Sequence, residues 1–145
     1  MLLSILIPLY NEEEFIVALL QRVLAAPLPE GMEREIVVAD DGSTDGSLEL
    51  VKEVAASQPG VIRILETQRN QGKGAAIRRA IAEAKGQFSI IQDADLEYDP
   101  REYARLLQPL LDGRADVVYG SRFMAAGERR VLYFWHALAN KFLTG

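Results

Sequence analysis

Short apolar runs alternate along this chain with longer stretches in which apolar residues recur every three to four positions. That alternation predicts βα units wound into a parallel sheet. The first run, residues 3–9, is continuously apolar, as in a strand buried on both faces, and a helix is expected over 12–25, stopped by Pro27 and Pro29. A second strand is expected over 35–39. Leu48, Val51, Val54 and Ala55 then recur at helical spacing, with Ser43, Thr44 or Asp45 placed to cap that helix. A third strand over 61–66 precedes Gly72-Lys73-Gly74, which opens a helix carrying Ala75, Ala76, Ala80 and Ala84 and ending at Gly86. The fourth strand, 88–92, runs into an acidic stretch and then a helix over 100–111 with Pro100 at its first position. A fifth strand over 116–119, a loop over 124–129 and a last helix over 131–143 complete the order. The fold class expected is α/β, a mostly parallel sheet with helices on both faces, as one domain over residues 1–145.

Composition narrows this picture by exclusion. A chain of 145 residues is long enough to bury a core of its own. The formal net charge of −5, with no run of basic residues longer than a pair such as Arg129-Arg130, argues against a nucleic-acid partner, since phosphate affinity comes mostly from grouped Lys and Arg. There is no cysteine, which removes disulfides and thiolate zinc sites. The apolar N-terminus is interrupted by Ser4 and Pro8 and lacks a basic flank, and no later stretch reaches the roughly 18 uncharged apolar residues of a membrane span. The last expected helix is apolar on one face yet Gly145 follows soon after, which reads as a truncated protein. Dimerisation or further segments would cover that face.

In an open parallel sheet, ligands bind beyond the carboxyl ends of the strands. Every polar cluster falls at such an end: Tyr10-Asn11-Glu12, Asp40-Asp41-Gly42-Ser43, residues 70–74, residues 93–97 and Gly120-Ser121-Arg122. One cleft is expected to gather all five. Asp93, Asp95 and Glu97 are spaced two apart, so an extended backbone would turn all three to one face, where hard carboxylate oxygens suit Mg²⁺ or Mn²⁺. The plainer alternative is a solvated loop before a helix. Of Asp40 and Asp41, one can accept from a nucleobase N–H or a ribose hydroxyl while the other braces its loop; alone, the segment also suits a simple turn and cap. Gly72-Lys73-Gly74 lacks the remaining residues of a Walker loop, but a helix start bearing one lysine attracts an anion. The guanidinium of Arg122 suits a phosphate clamp, and the single histidine, His136, lies among aromatic residues and reads as a packing residue.

Five segments in order then carry a resemblance: Ile7-Pro8-Leu9-Tyr10-Asn11-Glu12, Val38-Ala39-Asp40-Asp41-Gly42-Ser43-Thr44-Asp45, Asn70-Gln71-Gly72-Lys73-Gly74, Gln92-Asp93-Ala94-Asp95-Leu96 and Gly120-Ser121-Arg122-Phe123. Together they resemble the inverting glycosyltransferases of family 2 with the Rossmann-like GT-A fold, in particular the dolichyl- and polyprenyl-phosphate hexose synthases. The resemblance implies that Pro8, Tyr10, Glu12, Ala39 and Asp41 line a nucleotide-sugar pocket, with Asp41 facing the base. It makes Asp93, Ala94 and Asp95 an Asp-x-Asp motif that touches ribose and carries the metal, with Glu97 assisting. Lys73 joins the donor-binding set as a candidate anion contact, Arg122 would meet the donor diphosphate, and Arg130 matches a second arginine. Asp93, Asp95 and Arg122 are thereby the catalytic candidates.

The implied activity is transfer of a hexose from a UDP- or GDP-sugar, with Mg²⁺ or Mn²⁺, to a lipid phosphate. A membrane-associated whole protein at the cytoplasmic face goes with it. The same family also includes enzymes with polysaccharide or other glycan acceptors. Outside enzymes, a receiver-type signalling domain would need an aspartate at the end of the third strand, where this chain has Thr67-Gln68-Arg69, and a module that only binds nucleotide would share the donor pocket without turnover.

Overall fold

The computed structural model describes residues 1–118 and 137–138. Its sheet is built around β1 (Leu2–Leu9), which pairs in parallel on one edge with β2 (Glu33–Asp41) and on the other with β4 (Phe88–Ile91). β3 (Ile62–Thr67) continues the sheet beyond β2. Beyond β4 lie two short strands, β5 (Val117–Val118) and β6 (Ala137–Leu138), and the order among the described residues is β3-β2-β1-β4-β6-β5. β6 runs antiparallel to both of its neighbours.

Among the described residues four helices cover the sheet: α1 (Ile16–Ala25), α2 (Ser47–Ser57), α3 (Lys73–Glu83) and α4 (Tyr103–Leu111), the last preceded by a 3₁₀ turn at Pro100–Glu102. Alternation along the strands sorts their side chains between two cores. Leu3, Ile5, Ile7 and Leu9 of β1, Ile36 and Val38 of β2 and Ile90 of β4 pack against Ile16, Leu19, Leu20 and Val23 of α1, Val51 of α2 and Tyr103, Leu107 and Leu110 of α4. Leu6, Val37, Ala39 and Ile91 face the opposite way, onto Ala76 and Ala80 of α3. Burial on both faces explains why these strands read as unbroken apolar runs. The alanines keep α3 close to its face of the sheet, which brings the start of that helix near the strand ends.

Several expected boundaries shift for local reasons. The first helix starts at Ile16 rather than at residue 12, after a turn over 13–15, while Glu12 and Glu13 give their backbone N–H groups to Ser47 Oγ (2.7 Å) and Asp45 Oδ2 (3.3 Å). β2 runs on to Asp41, so the paired aspartates belong to the strand end. The N-cap of α2 is Gly46, not Ser43, Thr44 or Asp45; Asp45 instead accepts from the N–H of Ser47 one residue further on (2.9 Å). α3 ends at Glu83, before Gly86. The largest change is at the C-terminal end, where the expected helix over 131–143 is contradicted by the strand pairing of Ala137–Leu138 in the gap between β4 and β5. The remainder of that segment lies outside the described residues, as do Tyr119 and the loop over 124–129.

Opposite the strand ends, at the foot of the sheet, a polar network joins β1, β2 and the turn before β4. Glu35 Oε1 accepts from Ser4 Oγ (2.6 Å) and from the N–H of Lys85 (2.6 Å), and Arg63 reaches Glu35 Oε2 at 3.2 Å. Gly86 donates its N–H to Ser4 Oγ (2.8 Å), and a Cβ there would lie 2.6 Å from the Leu2 carbonyl oxygen and 2.6 Å from Ser4 Oγ. Gly86→Ala should therefore lower stability by about 1–3 kcal/mol through overpacking, read as a lower urea midpoint at unchanged slope. An unchanged midpoint would mean that the turn moves freely.

On the other side of β4, Tyr103 is fully buried and donates its hydroxyl to Gln92 Oε1 at 2.5 Å. Burial raises its phenol well above the ordinary 10.0, with Asp99 pushing the same way and the nearby Arg34 opposing. The folded protein thus holds this proton more tightly than the unfolded chain. Its contribution is complete below pH 10 and is lost as pH rises through the raised value. Melting temperature should fall above pH 10, and Tyr103→Phe should show a shallower fall across that range.

Candidate functional site

The strand order reverses at β1, whose connection to β2 leaves on one side while β4 lies on the other. A crevice opens beyond the carboxyl ends at such a switch point. Here it is a cleft of about 270 Å³ lined by Pro8 and Leu9 at the end of β1, Tyr10 and Glu12 after it, Asp41 from β2, Asn70, Gly72, Lys73 and Ala76 around the start of α3, and Asp93, Ala94 and Asp95 after β4. Four of the five polar clusters expected at strand ends converge on this volume. The fifth, Gly120-Ser121-Arg122, lies outside the described residues together with Arg130 and His136.

Side chains accepting from loop backbone hold the rim together. Asn11, itself at φ 50°, accepts on Oδ1 from the N–H of Thr44 (2.8 Å) and Asp45 (3.3 Å), and its own N–H donates to Ser43 Oγ (3.1 Å). Glu13 Oε2 accepts from Gly46 N–H at 2.8 Å. These bonds join the loops after β1 and β2. Asp40, 1% exposed, braces Ser43 at 3.4 Å, the loop-holding role expected of one member of the aspartate pair. At Gly42, with φ +77°, a Cβ would lie 2.9 Å from the carbonyl carbon of Arg69 and from the nitrogen of Asn70, so only glycine lets the loop before α3 approach so closely.

Asp41 does more than face the cleft. Its Oδ1 accepts from Gln71 N–H and its Oδ2 from Gly72 N–H, both at 2.9 Å, so the carboxylate closes the turn that starts α3. Gly72, at φ 97°, is the N-cap, and Lys73 follows as the first helical residue. The Lys73 ammonium is bonded to Asp93 Oδ1 across the cleft. Ala39, expected in the lining, is not there; it is wholly buried in the α3-side core.

The acidic stretch departs from its expected shape. β4 ends at Ile91, a turn covers Ala94 and Asp95, and Leu96 takes φ 62°. Asp95 Oδ1 accepts from Glu97 N–H at 3.1 Å. Asp93 and Asp95 line the cleft, but Glu97 is not among the lining residues, so the extended three-carboxylate face is overturned. Among the described residues no group of three His, Cys, Asp or Glu side chains is close enough to hold an ion. The physical reason is the core beneath: Ala94, Leu96 and Tyr98 pack into it, and the backbone bends to seat them.

Charge in the cleft is one-sided, with Glu12, Asp41, Asp93 and Asp95 against Lys73. Burial first, then Asp95, Asp45, Glu14 and Asp93, raises the Glu12 carboxyl above its ordinary value. Such a site repels a free diphosphate. The donors present are all hard oxygens, and two aspartates fit the way Mg²⁺ and Mn²⁺ are commonly held, by one or two carboxylates with substrate phosphates and water completing the shell. The residues therefore fit an ion shared with a substrate, not a closed protein cage.

Asn70, Leu9, Gly72 and Ala76 join the lining without having been singled out. Leu9, Asn70 and Gly72 stood in recognised segments, and Ala76 carried no signal beyond its helix position. Arg79, behind Asp41, was also missed.

Comparison with known proteins places this arrangement. An undecaprenyl-phosphate 4-deoxy-4-formamido-L-arabinose transferase of Aeromonas hydrophila is 41% identical over 112 residues, covering 77% of this chain and 34% of the relative. A dolichol-phosphate mannosyltransferase of Pyrococcus furiosus is 31% identical over 141 residues, 97% of this chain and 39% of the relative. The chain thus spans little more than a third of the length of these relatives. Among solved structures, a mannosyltransferase from Pyrobaculum calidifontis in complex with GDP-Man and Mn²⁺ superposes with a TM-score of 0.61 at 30% identity, covering 70% of this chain and 29% of that one. The fold is of the GT-A type. Residues 4–141 match the glycosyl transferase family 2 domain, and the chain belongs to that family.

Proposed function

We propose that this chain carries the donor side of an inverting hexosyltransferase that uses a UDP- or GDP-sugar, Mg²⁺ or Mn²⁺, and a polyprenyl or dolichyl phosphate acceptor. The observation that carries the reading is the convergence of Asp41, Lys73, Asp93 and Asp95 on one cleft at the strand-order switch point. The named substrates of the relatives support the acceptor, and the GDP-Man and Mn²⁺ of the structural neighbour support the donor and the ion.

Each residue then has a chemical task. Asp41, held in place by Gln71 and Gly72, accepts from an N–H on the nucleobase. Pro8, Leu9 and Tyr10 form the wall beside the base, with Tyr10 44% exposed. Asp93 meets the ribose, and Asp95 with Asp93 holds the ion; Glu97 contributes only if the loop rearranges around substrate. When bound, the ion offsets negative charge on the departing diphosphate. Lys73 holds Asp93 in the free protein and can pass to a phosphate oxygen once Asp93 has another cation. Arg122 adds a guanidinium to the diphosphate and Arg130 is a second candidate; both roles rest on the sequence. A lipid phosphate oxygen is ionised near neutral pH, so the attack on the sugar needs no strong general base. None of the described helices is long and apolar enough to cross a membrane, and docking of the whole protein at the cytoplasmic face of one belongs to the same reading.

Titration calorimetry with UDP and GDP should give affinities roughly tenfold higher with Mn²⁺ than with chelator, and Asp95→Ala should abolish that difference. For either nucleotide, an affinity that is equal with Mn²⁺ and with chelator would sink the metal assignment. With Mn²⁺, a labelled nucleotide sugar and polyprenyl phosphate, the protein should form labelled lipid, and none of the label should move to a neutral glycan. The opposite pattern would reassign the acceptor.

A further inference from the structure

Asp41 is only 4% exposed as a side chain, yet it carries the charge on which the reading of the base pocket rests. Two backbone N–H groups alone leave a buried carboxylate poorly compensated. The third partner comes from α3. Arg79 lies three residues after the cleft-lining Ala76, hence on the same side of the helix. Its Nη2 stands 3.5 Å from Asp41 Oδ1, 3.4 Å from the Asp40 carbonyl and 3.4 Å from Thr67 Oγ1, while Nη1 reaches Gln71 Oε1 at 3.3 Å.

This is an unusual posting for an arginine. Its side chain is 25% exposed, its Nε is buried with no acceptor among the described residues, and all four of its contacts are longer than an ordinary hydrogen bond. No single acceptor claims it. One guanidinium instead spans the end of β2, the end of β3 and the turn into α3, the three pieces that meet at Asp41. A carboxylate offers about four lone-pair sites. Gln71 and Arg79 take two on Oδ1 and Gly72 one on Oδ2, leaving one on Oδ2 of a residue that lines the cleft.

We infer that Arg79 is a positioning residue for nucleobase selection: it holds the Asp41 carboxylate so that its remaining acceptor site meets a ring N–H, which uracil and guanine offer and cytosine and adenine replace with an acceptor. The inference rests on the proposed placement of the base against Asp41. Arg79 touches neither base nor ion. Its effect is confined to which nucleotides bind, and it leaves the metal site across the cleft unaltered.

The test compares UDP, GDP, CDP and ADP binding to the full chain in Mn²⁺ by calorimetry, for the native protein, Arg79→Met, Arg79→Lys, Asp41→Asn and the double variant Arg79→Met with Asp41→Asn. Arg79→Met should weaken UDP or GDP by about tenfold and leave CDP and ADP unchanged, compressing the discrimination, as expected for groups coupled in one network. In the Asp41→Asn background the same change should add little. Arg79→Lys keeps the charge without the fork and should lose discrimination in part. Equal weakening of all four nucleotides, or full additivity in the double variant, overturns the inference, since either marks a role in folding or in general anion binding. Should Arg79→Met fail to fold, Arg79→Lys alone decides, and native discrimination in it overturns the inference. If Asp41→Asn itself leaves all affinities unchanged, the base placement fails, and the inference falls with it; loss in Asp41→Asn without loss in Arg79→Met removes the inference alone.

Discussion

Everything in this molecule is referred to β1. It is hydrogen-bonded in parallel on both edges, from Leu2 opposite Glu33 to Leu9 opposite Asp40 on one side and from Leu3 opposite Phe88 to Leu6 opposite Ile91 on the other. Its side chains enter both cores. A strand so enclosed has no freedom of register, because a slip of one residue would exchange its two faces. The end of β2 is thereby set at a fixed height beside Pro8 and Leu9, and the end of β4 beside Leu6. Asp41 and Asp93 face one another across the cleft as a result of backbone pairing, not of any contact between them.

From that fixed platform the loops are trimmed by side chains that accept from backbone N–H groups. Asn11, Glu13, Asp40, Asp41 and Asp45 all serve in this way, satisfying donors that the helix starts would otherwise leave open. Asp41 belongs to two sets: it braces the turn into α3 and, with Glu12, Asp93 and Asp95, makes the cleft electronegative. At that residue structure and charge are not separable, and the cleft is a poor host for an anion unless a cation comes too.

How far the sequence disclosed this depends on how local each determinant is. The apolar runs of β1, β2 and β4 and the alanines of α3 were legible, because burial on both faces and close helix packing each demand a composition. The gathering of polar clusters at strand ends followed from the parallel arrangement. The acidic stretch was half legible: Ala94, Leu96 and Tyr98 alternate toward the core and Asp93 and Asp95 line the cleft, but Glu97 does not join them. Yet Leu96 reaches the core through a left-handed backbone, and a tertiary bend of that kind has no local signal. β6 was hidden for a similar reason. Ala137 and Leu138 sit in a helix-like pattern, and only the open edge of β4 makes a strand of them. Arg79 looks no different from Arg78 beside it; the register of α3 against the sheet separates the two.

The placing of β6 between β4 and β5 has a consequence for synthesis. The ladder of β1, β2, β3 and β4 can be assembled from the first ninety-odd residues as they emerge, but the second edge of β4 is closed by Ala137–Leu138, and β5 joins the sheet only through that strand. Such a distant pairing is slow to form, and an unfilled strand edge is a site for wrong partners. On the ribosome, the strand that leads into Asp93 and Asp95 therefore gains β6 as its neighbour, among the described residues, only once residue 138 has cleared the exit.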